Sequence, residues 1–301
     1  MTTRAHPTRG RTIDGVASGL GAAAIWGGVY VVSRVTLDTI PPATLVLVRL
    51  VLGTAALAAI VRATRAPLPR RGDLPLLASL GLVGMCISLI AQFAGTHLAG
   101  AANGALITSA TPAFMLLFAW PILGDRPGTR QVASLVLATA GVLVVTFAGD
   151  AADVGGGDDP FTGGFYLLLA AITWALYSVL GRAASARHGS LVTTAYATAT
   201  GVLFAAPPAA WELSTSVIGA PDASTVAAIL YLGVVATAVA FYLWNRSIDR
   251  LGAAVPGLLF FAQPVVGGLL GATLLGEHLG PAFFAGGLLI TGAVLLGIRD
   301  R

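Results

Sequence analysis

The chain has 301 residues, of which 56% are hydrophobic and 10% charged, and it carries a formal net charge of +4. Because soluble domains carry about 25% charged residues, this composition excludes an ordinary soluble core. No hydrophilic block of about 100 residues interrupts the apolar sequence, so a separate catalytic or receptor domain is excluded as well. The arginines lie in short loops and form no basic face, which argues against binding to nucleic acid.

Ten apolar segments are long enough to cross a bilayer as helices, which takes about 20 residues each. We place their uncharged cores at Gly15–Ser33, Pro41–Val61, Leu74–Thr96, Leu98–Gly124, Gln131–Gly149, Pro160–Gly181, Gly189–Trp211, Ala223–Asn245, Leu251–Gly276 and Leu279–Ile298. Arg49 interrupts the second of them. The sequence therefore predicts an all-α integral membrane protein with ten transmembrane helices.

The arginines are distributed unevenly between the loops. If the N-terminus is cytoplasmic, one side of the membrane receives 15 of the 17 arginines, namely Arg4, Arg9, Arg11, Arg62, Arg65, Arg70, Arg71, Arg126, Arg130, Arg182, Arg187, Arg246, Arg250, Arg299 and Arg301. The other side keeps Arg34 and collects Asp150, Asp153, Asp158, Asp159, Glu212, Asp222 and Glu277. Since an excess of arginine marks the cytoplasmic side, we expect both termini in the cytoplasm and a multi-pass protein of the cell inner membrane.

The two halves of the chain repeat each other. An offset of 152 residues pairs Pro112 with Pro264 and Asp125 with Glu277, and an offset of 148 pairs Trp26 with Trp174. An odd number of spans in each repeat forces the two repeats into opposite orientations, as in many secondary transporters. The sequence predicts a first five-helix repeat over residues 1–149 and a second, inverted one over 150–301, within one functional membrane unit. A chance likeness between apolar helices is the alternative.

Several short motifs resemble the EamA-type branch of the drug/metabolite transporter superfamily. They are Ala-Ile-Trp-Gly around Trp26, Pro41 followed by Arg49, Pro112 leading into Leu-Gly-Asp at 123–125, Trp174, Tyr-Leu-Trp-Asn-Arg at 242–246, and Pro264 leading into Leu-Leu-Gly-Glu at 274–277. The resemblance covers almost the whole chain. It implies two inverted five-helix units around a central cavity that is lined mainly by the first, third and fourth helices of each unit. It also implies export of amino acids or related metabolites, with the aromatic amino-acid exporters as near relatives.

Polar residues inside a bilayer are costly and tend to face a cavity or another helix. Two stripes, each on one helical face, match between the halves: Gly104, Thr108, Thr111 and Met115 in the first, and Pro256, Phe260, Gln263 and Gly267 in the second. A cavity on a pseudo-two-fold axis requires such a matched pair, whereas helix packing through small residues is the alternative. For Gln263, a place in the cavity and an interhelical hydrogen bond remain equally open.

A polar edge also follows the third segment through Gly84, Ser88, Gln92 and Thr96. An interhelical hydrogen bond suits Ser88 better than Gln92. Asn103 is either a helix cap or a cavity residue. Tyr242 is either an interfacial anchor or a neighbour of the cavity.

Two aromatic pairs occupy equivalent segments, with Tyr30 one turn after Trp26 and Tyr177 one turn after Trp174. An interfacial aromatic belt is the alternative, and the depth of both tryptophans, roughly 15 Å from either interface, argues against it. Flat aromatic walls suit an apolar or aromatic substrate side chain. The candidate substrate-binding residues are therefore Trp26, Tyr30, Arg49, Gln92, Asn103, Thr108, Thr111, Trp174, Tyr177, Tyr242, Phe260 and Gln263.

Arg49 is the one charge within a predicted span, and it either meets a substrate carboxylate or snorkels to the outer interface. No carboxylate lies in mid-span, so ion coupling has no evident residue. The sequence predicts export of a neutral or aromatic amino acid down its own gradient. In this prediction Gln92, Asn103 or Gln263 holds the substrate carboxylate and the tryptophans hold its side chain.

A membrane-embedded enzyme is the alternative from a different class. The sequence contains no HExxH or GxSxG motif, and its histidines, His6, His97, His188 and His278, lie in the tail or near loops. We therefore expect no catalytic residue, metal or cofactor. The expected partners are a small-molecule substrate and the lipid bilayer but no nucleic acid, and a monomer is one state that the sequence allows. Carriage of a nucleotide sugar, a drug or another amphipathic solute remains open.

Overall fold

The computed structural model describes residues 9–37, 39–99, 107–147, 159–216, 219–275 and 281–298. Within these ranges the regular structure is entirely helical. The helices are α1 (Arg9–Leu37), α2 (Pro42–Thr64), α3 (Arg71–Ala99), α4 (Thr111–Leu123), α5 (Thr129–Phe147), α6 (Pro160–Thr215), α7 (Ala223–Leu251), α8 (Ala254–Leu259), α9 (Ala262–Leu275) and α10 (Pro281–Ile298).

The helices have the length and apolar surface of a membrane protein. Among the described residues, α2, α3, Phe161–Thr215 of α6 and α7 are long and apolar enough to cross a bilayer, with mean hydropathies of 1.7 to 2.3. Large apolar side chains also point outward, since Leu203, Trp211 and Leu288 are 71–75% exposed. Lipid solvates such an exterior and water does not. The predicted all-helical membrane architecture is confirmed at this level.

Helix α6 doubles back at Gly189, whose φ of 77° and ψ of 157° belong to a region that glycine alone adopts readily. The side-chain amide of Asn245 donates to the hydroxyls of both Tyr177 and Thr194, so one side chain joins residues from the two sides of the break. The predicted loop at 182–188 is wrong, because these residues continue the helix up to the break. Three alanines among them favour that conformation.

A helix is interrupted just before a proline in each half of the chain. Pro112 follows a turn at 109–110, and Pro264 follows a turn at 260–261 that separates α8 from α9. Proline lacks an N–H group and its ring clashes with the carbonyl four residues earlier. The predicted spans Leu98–Gly124 and Leu251–Gly276 are therefore interrupted rather than continuous helices.

Two wide turns interrupt the regular α-helical hydrogen bonding. They are π-helical segments, Gly81–Ile87 in α3 and Tyr231–Val239 in α7. Such segments often occur at functional sites. They begin 150 residues apart, close to the offsets of the sequence repeat.

Helix α1 packs against both α9 and the last turns of α7, while α6 packs against α2 and α3. Gly27 allows the approach of α1 to α9. A Cβ atom added at Gly27 would lie 2.9 Å from the carbonyl oxygen of Gln263 and 3.0 Å from the backbone nitrogen of Gly267. The close contact between these two backbones places Trp26 of α1 beside Gln263 of α9.

We predict that Gly27→Ala destabilises the folded protein by about 1–3 kcal/mol, because the new methyl group overpacks a contact between two backbones. The measurement is the thermal unfolding temperature of the purified protein in detergent. Gly292→Ala in α10 is the matched control, because a Cβ atom there meets no atom within 4 Å. If both variants unfold at the same temperature, the backbones are not in close contact.

Candidate functional site

A cavity lies inside the helix bundle. Its walls come from α1, α2, α3, α6, α7 and the chain around the two proline breaks. The lining residues are Trp26, Val29, Arg49, Ser88, Leu89, Gln92, Thr108, Thr111, Ala170, Ala171, Trp174, Phe241, Phe260 and Gln263. Arginine is the one charged residue type in this lining.

Arg49 carries that charge and is only 2% exposed. Its Nε donates to the hydroxyl of Thr237 at 2.9 Å, and one terminal nitrogen lies 3.4 Å from the carbonyl oxygen of Ala236. The guanidinium carbon also lies 5.4 Å from the ring centre of Phe93. Among the described residues, all these partners are neutral. The alternative that Arg49 snorkels to the interface is wrong, since its side chain is turned inward.

Two distant segments hold Arg49 in this position. The carboxylate of Glu212, at the end of α6, accepts hydrogen bonds from the backbone N–H groups of Ala43 and Thr44 at 3.1 and 2.7 Å, which caps the start of α2. Thr237 lies in the π-helical segment of α7, where its hydroxyl also donates to the carbonyl oxygen of Leu232 at 2.7 Å. The first contact fixes the helix that carries Arg49, and the second fixes its guanidinium group.

Aromatic side chains form one wall of the cavity, which we call the aromatic floor: Trp26, Trp174, Phe241 and Phe260. The ring of Trp26 meets those of Trp174, Phe241 and Phe260 at centroid distances of 5.2, 5.3 and 6.2 Å. Edge-to-face contacts of this kind are favourable for aromatic rings. The indole N–H of Trp26 donates to the carbonyl oxygen of Ala236 at 3.0 Å, so the floor and Arg49 share one acceptor.

Two amide side chains complete the polar wall. Gln263 is 4% exposed, Gln92 is half-buried, and neither side-chain amide has a hydrogen-bond partner within the described part of the chain. The hydroxyl of Ser88 differs, because it donates to the carbonyl oxygen of Ala170 at 3.0 Å and joins two helices. The two glutamines are therefore available to a molecule in the cavity, and the hydroxyl of Ser88 is not.

The cavity residues follow the sequence repeat. Thr108 and Thr111 flank the first proline break, and Phe260 and Gln263 stand at the equivalent positions of the second, at an offset of 152. Trp26 and Trp174 obey the offset of 148. Broken helices near the middle of the bilayer form binding sites in many secondary transporters because their backbone groups face a cavity.

Below the aromatic floor, a second layer is fully closed. Trp244 and Tyr177 are both 0% exposed, and the Trp174 and Tyr177 rings stack at 4.9 Å. The indole N–H of Trp244 donates to the hydroxyl of Ser178 at 3.0 Å. This layer separates the cavity from the helix ends beneath it.

Those helix ends, which we call the arginine-rich end, are joined by ion pairs. Asp14 contacts Arg246 at 2.8 Å and Arg250 at 3.3 Å, which ties the start of α1 to the end of α7. The hydrogen bond from Arg246 lowers the pKa of the Asp14 carboxyl. Asp125 pairs with Arg182, which ties the segment after α4 to α6.

Eight of the twelve residues predicted from the sequence line the cavity: Trp26, Arg49, Gln92, Thr108, Thr111, Trp174, Phe260 and Gln263. Two predicted residues lie elsewhere. Tyr177 belongs to the closed layer, and the hydroxyl of Tyr242 accepts a hydrogen bond from Arg246 at 2.9 Å in the arginine-rich end. Asn103 and the side chain of Tyr30 lie outside the described residues.

Sequence reasoning missed several lining residues, namely Val29, Leu89, Ala170, Ala171 and Phe241. Helical spacing from a known lining residue would have found most of them. Ala170 and Ala171 precede Trp174 by four and three residues, and Leu89 precedes Gln92 by three. An apolar residue does not stand out within an apolar span, so the sequence offers no other signal for these positions.

Comparisons with known proteins identify the family of the chain and its fold. The model of the EamA-like transporter family matches the chain twice, over residues 14–147 and 161–299. A "probable terminal-alkyne amino-acid exporter" of Streptantibioticus cattleyicolor is 30% identical over 91% of this chain and 90% of its own length. The protein named aromatic amino acid exporter YddG of Ancylobacter novellus is 29% identical over 68% of each chain. A solved crystal structure has the same fold, with a TM-score of 0.78 and 24% identity over 94% of this chain and 95% of that chain.

We predict that Asp14→Asn makes the interior more accessible from the arginine-rich end, because Arg246 and Arg250 lose their acidic partner. The probe is Ala184→Cys, a fully buried position in α6, on a background in which the single native Cys86 is replaced by serine. A partly exposed ion pair contributes about 0.5–1 kcal/mol, so labelling by a water-soluble maleimide should accelerate about two- to fivefold. Asp249→Asn is the matched control, because that carboxylate has no ion pair among the described residues. Equal labelling rates in the two variants would show that the Asp14 contacts do not close this end.

Proposed function

Since the chain belongs to the EamA-like transporter family, we propose that it exports neutral or aromatic amino acids across the cell inner membrane by alternating access around the cavity. The protein is a multi-pass membrane transporter and not an enzyme, in agreement with the family match and with transporter-named relatives. Two relatives named as amino-acid exporters support amino acids as the proposed substrate class.

The burial of Arg49 is the observation that carries the proposal. The described lining of the cavity contains no acidic residue, so the positive charge of Arg49 can interact with an anionic group of a ligand. The paired N–H donors of a guanidinium group match the two oxygens of a carboxylate. We therefore assign the substrate carboxylate to Arg49. The sequence had favoured neutral donors for this role, and the two glutamines now serve the rest of the ligand.

The other walls suit the remainder of an amino acid. The side-chain oxygens of Gln92 and Gln263 can accept hydrogen bonds from an ammonium group, and aromatic faces attract a cation as well. The aromatic floor offers a flat apolar surface for the side chain, with Trp174 as the residue from the second half.

Other substrate classes fit less well. A cationic drug would be repelled by Arg49, and the described lining offers no carboxylate to hold it. A nucleotide sugar carries two phosphates and usually requires several buried cations, whereas the lining contains one.

The proposed architecture consists of ten membrane spans in two inverted five-helix units, residues 1–149 and 150–301. Three pairs of features support it: the π-helical segments of α3 and α7, the two proline breaks, and the cavity residues at matched offsets. We also propose that both termini and the arginine-rich end are cytoplasmic and that the monomer is the working unit. The aromatic floor, the closed layer and the ion pairs would then seal the cytoplasmic side in this conformation.

Export would run down the gradient of the substrate itself. Proton coupling normally requires a group that titrates within the substrate path, commonly a carboxyl or histidine in a span. The described lining contains neither type of residue. When the cell overproduces the substrate, the substrate gradient alone drives export and no proton gradient is required.

The first functional prediction concerns Arg49 and uses proteoliposomes with three matched compounds: phenylalanine, phenylpropionate without the ammonium group, and phenethylamine without the carboxylate. Arg49→Gln should slow phenylalanine transport about 30-fold or more, because losing a buried charged contact costs about 2 kcal/mol or more. Phenethylamine should be transported poorly by the unaltered protein and no worse by Arg49→Gln.

The controls separate a lost ligand contact from a lost fold. Arg126→Gln removes an exposed arginine that lies 5.6 Å from the Trp120 ring and does not line the cavity, so it should transport phenylalanine normally. Arg49→Lys keeps the charge and should retain part of the activity. Equal loss of phenylalanine and phenethylamine transport in a well-folded Arg49→Gln protein would refute the assignment of the carboxylate.

The second functional prediction concerns energy coupling. Liposomes with equal phenylalanine concentrations on both sides should show no net movement when a pH difference is imposed, because no titrating group lines the described cavity. Counterflow of labelled phenylalanine should proceed at the same rate with and without the pH difference. Uphill accumulation driven by the pH difference alone would show that a proton is carried.

A further inference from the structure

A second cavity lies away from the central one, at the arginine-rich end of α2. It is a groove with about 1190 Å³ of empty space between the last turns of α2 and the second half of α6. Its lining consists of Thr54, Ala58, Ala59, Val61, Arg62, Arg65, Ala66, Leu68, Ala195, Tyr196 and Ala199. None of these residues lines the central cavity.

The groove is apolar along its length and positively charged at its mouth. The alanines, Val61 and Leu68 form the walls, whereas Arg62 and Arg65 lie where α2 ends. Eight residues separate Thr54 from Arg62, which corresponds to about 12 Å along the helix axis. In the topology proposed above, Arg62 and Arg65 lie at the membrane interface, and the groove would extend from there into the bilayer.

The two arginines have no acidic partner within the described part of the chain. The segment between α2 and α3 contains no acid, and the carboxylate of Asp73, in the first turn of α3, already lies 3.9 Å from Arg187 and 3.7 Å from His188. Arg62 and Arg65 are both exposed, so they meet whatever occupies the mouth of the groove. The described residues therefore do not balance the positive charge at the mouth of the groove, and an anionic ligand could do so.

We propose that this groove binds one anionic phospholipid, with its phosphate between Arg62 and Arg65 and an acyl chain along the alanine wall. Arginine suits phosphate because its donors match phosphate oxygens in pairs, and basic pockets between helix ends at the cytoplasmic face commonly hold anionic lipid headgroups. An acyl chain would fill the apolar length of the groove, whereas a free phosphate would leave it empty. The half-buried Tyr196 adds an amphipathic ring at the wall.

The test measures bound lipid in the purified full-length protein by native mass spectrometry, with phosphatidylglycerol and phosphatidylcholine of identical acyl chains. The unaltered protein should retain one phosphatidylglycerol in preference to phosphatidylcholine. Arg62→Gln combined with Arg65→Gln should reduce retained phosphatidylglycerol about fivefold or more. Arg70→Gln combined with Arg71→Gln removes the same charge from nearby positions of the chain that do not line the groove, and it should leave retention within about twofold, as expected of a specific contact.

Two further arms distinguish a groove from a charged surface. Ala59→Phe keeps both arginines but fills part of the exposed wall, and it should also reduce retention of phosphatidylglycerol. Added glycerol phosphate, which has the headgroup without the tail, should fail to displace the lipid at equal concentration. Equal loss in the two double variants, no loss in either, or displacement by glycerol phosphate would overturn the proposal.

Discussion

The structure depends on one buried guanidinium group. A charge removed from water costs several kcal/mol unless the protein solvates it, and Arg49 lies in the interior of a membrane protein. Thr237 and the Ala236 carbonyl supply that solvation from α7, and the capping carboxylate of Glu212 fixes the helix that carries the arginine. Since the Ala236 carbonyl also accepts from the indole of Trp26, the charge and the aromatic floor hold each other in place. A substrate carboxylate would complete a set of contacts that neutral groups begin.

Arg49 has no charged counterpart in the second half of the chain. The counterpart of Arg49 at the 148-residue offset is Ala197, which is fully buried and packs against Gly81 of α3. Other equivalent positions of the two halves also line the cavity. Some carry the same residue, such as Trp26 and Trp174, and others carry different residues, such as Thr111 and Gln263. In the proposed mechanism, the repeated frame would give two equivalent gates, and the single charge at one side of the cavity would give the substrate one orientation.

Part of this site could be predicted from the sequence, because its signals are local. The matched stripes at Thr108 and Thr111 and at Phe260 and Gln263 follow helical spacing and repeat offset, and all four residues line the cavity. The direction of Arg49 could not be predicted, since it depends on Thr237, 188 residues away in a π-helical segment without a sequence signature. Tyr177 illustrates the same limit: a residue three positions after Trp174 shares its helix face only approximately, and contact with Asn245 turns it into the closed layer. The helical segment at 182–188 was missed because its arginines indicated a loop, whereas its alanines continue the helix.

A structure of the protein with bound 4-bromophenylalanine tests the central claim most directly, because the bromine locates the side chain by its anomalous scattering and the density locates the carboxylate. Our account predicts the carboxylate at hydrogen-bonding distance, about 3 Å, from the guanidinium of Arg49, with the brominated ring against Trp26 and Trp174. A ligand whose carboxylate binds elsewhere, while Arg49 keeps only its contacts with Thr237 and Ala236, would contradict the account.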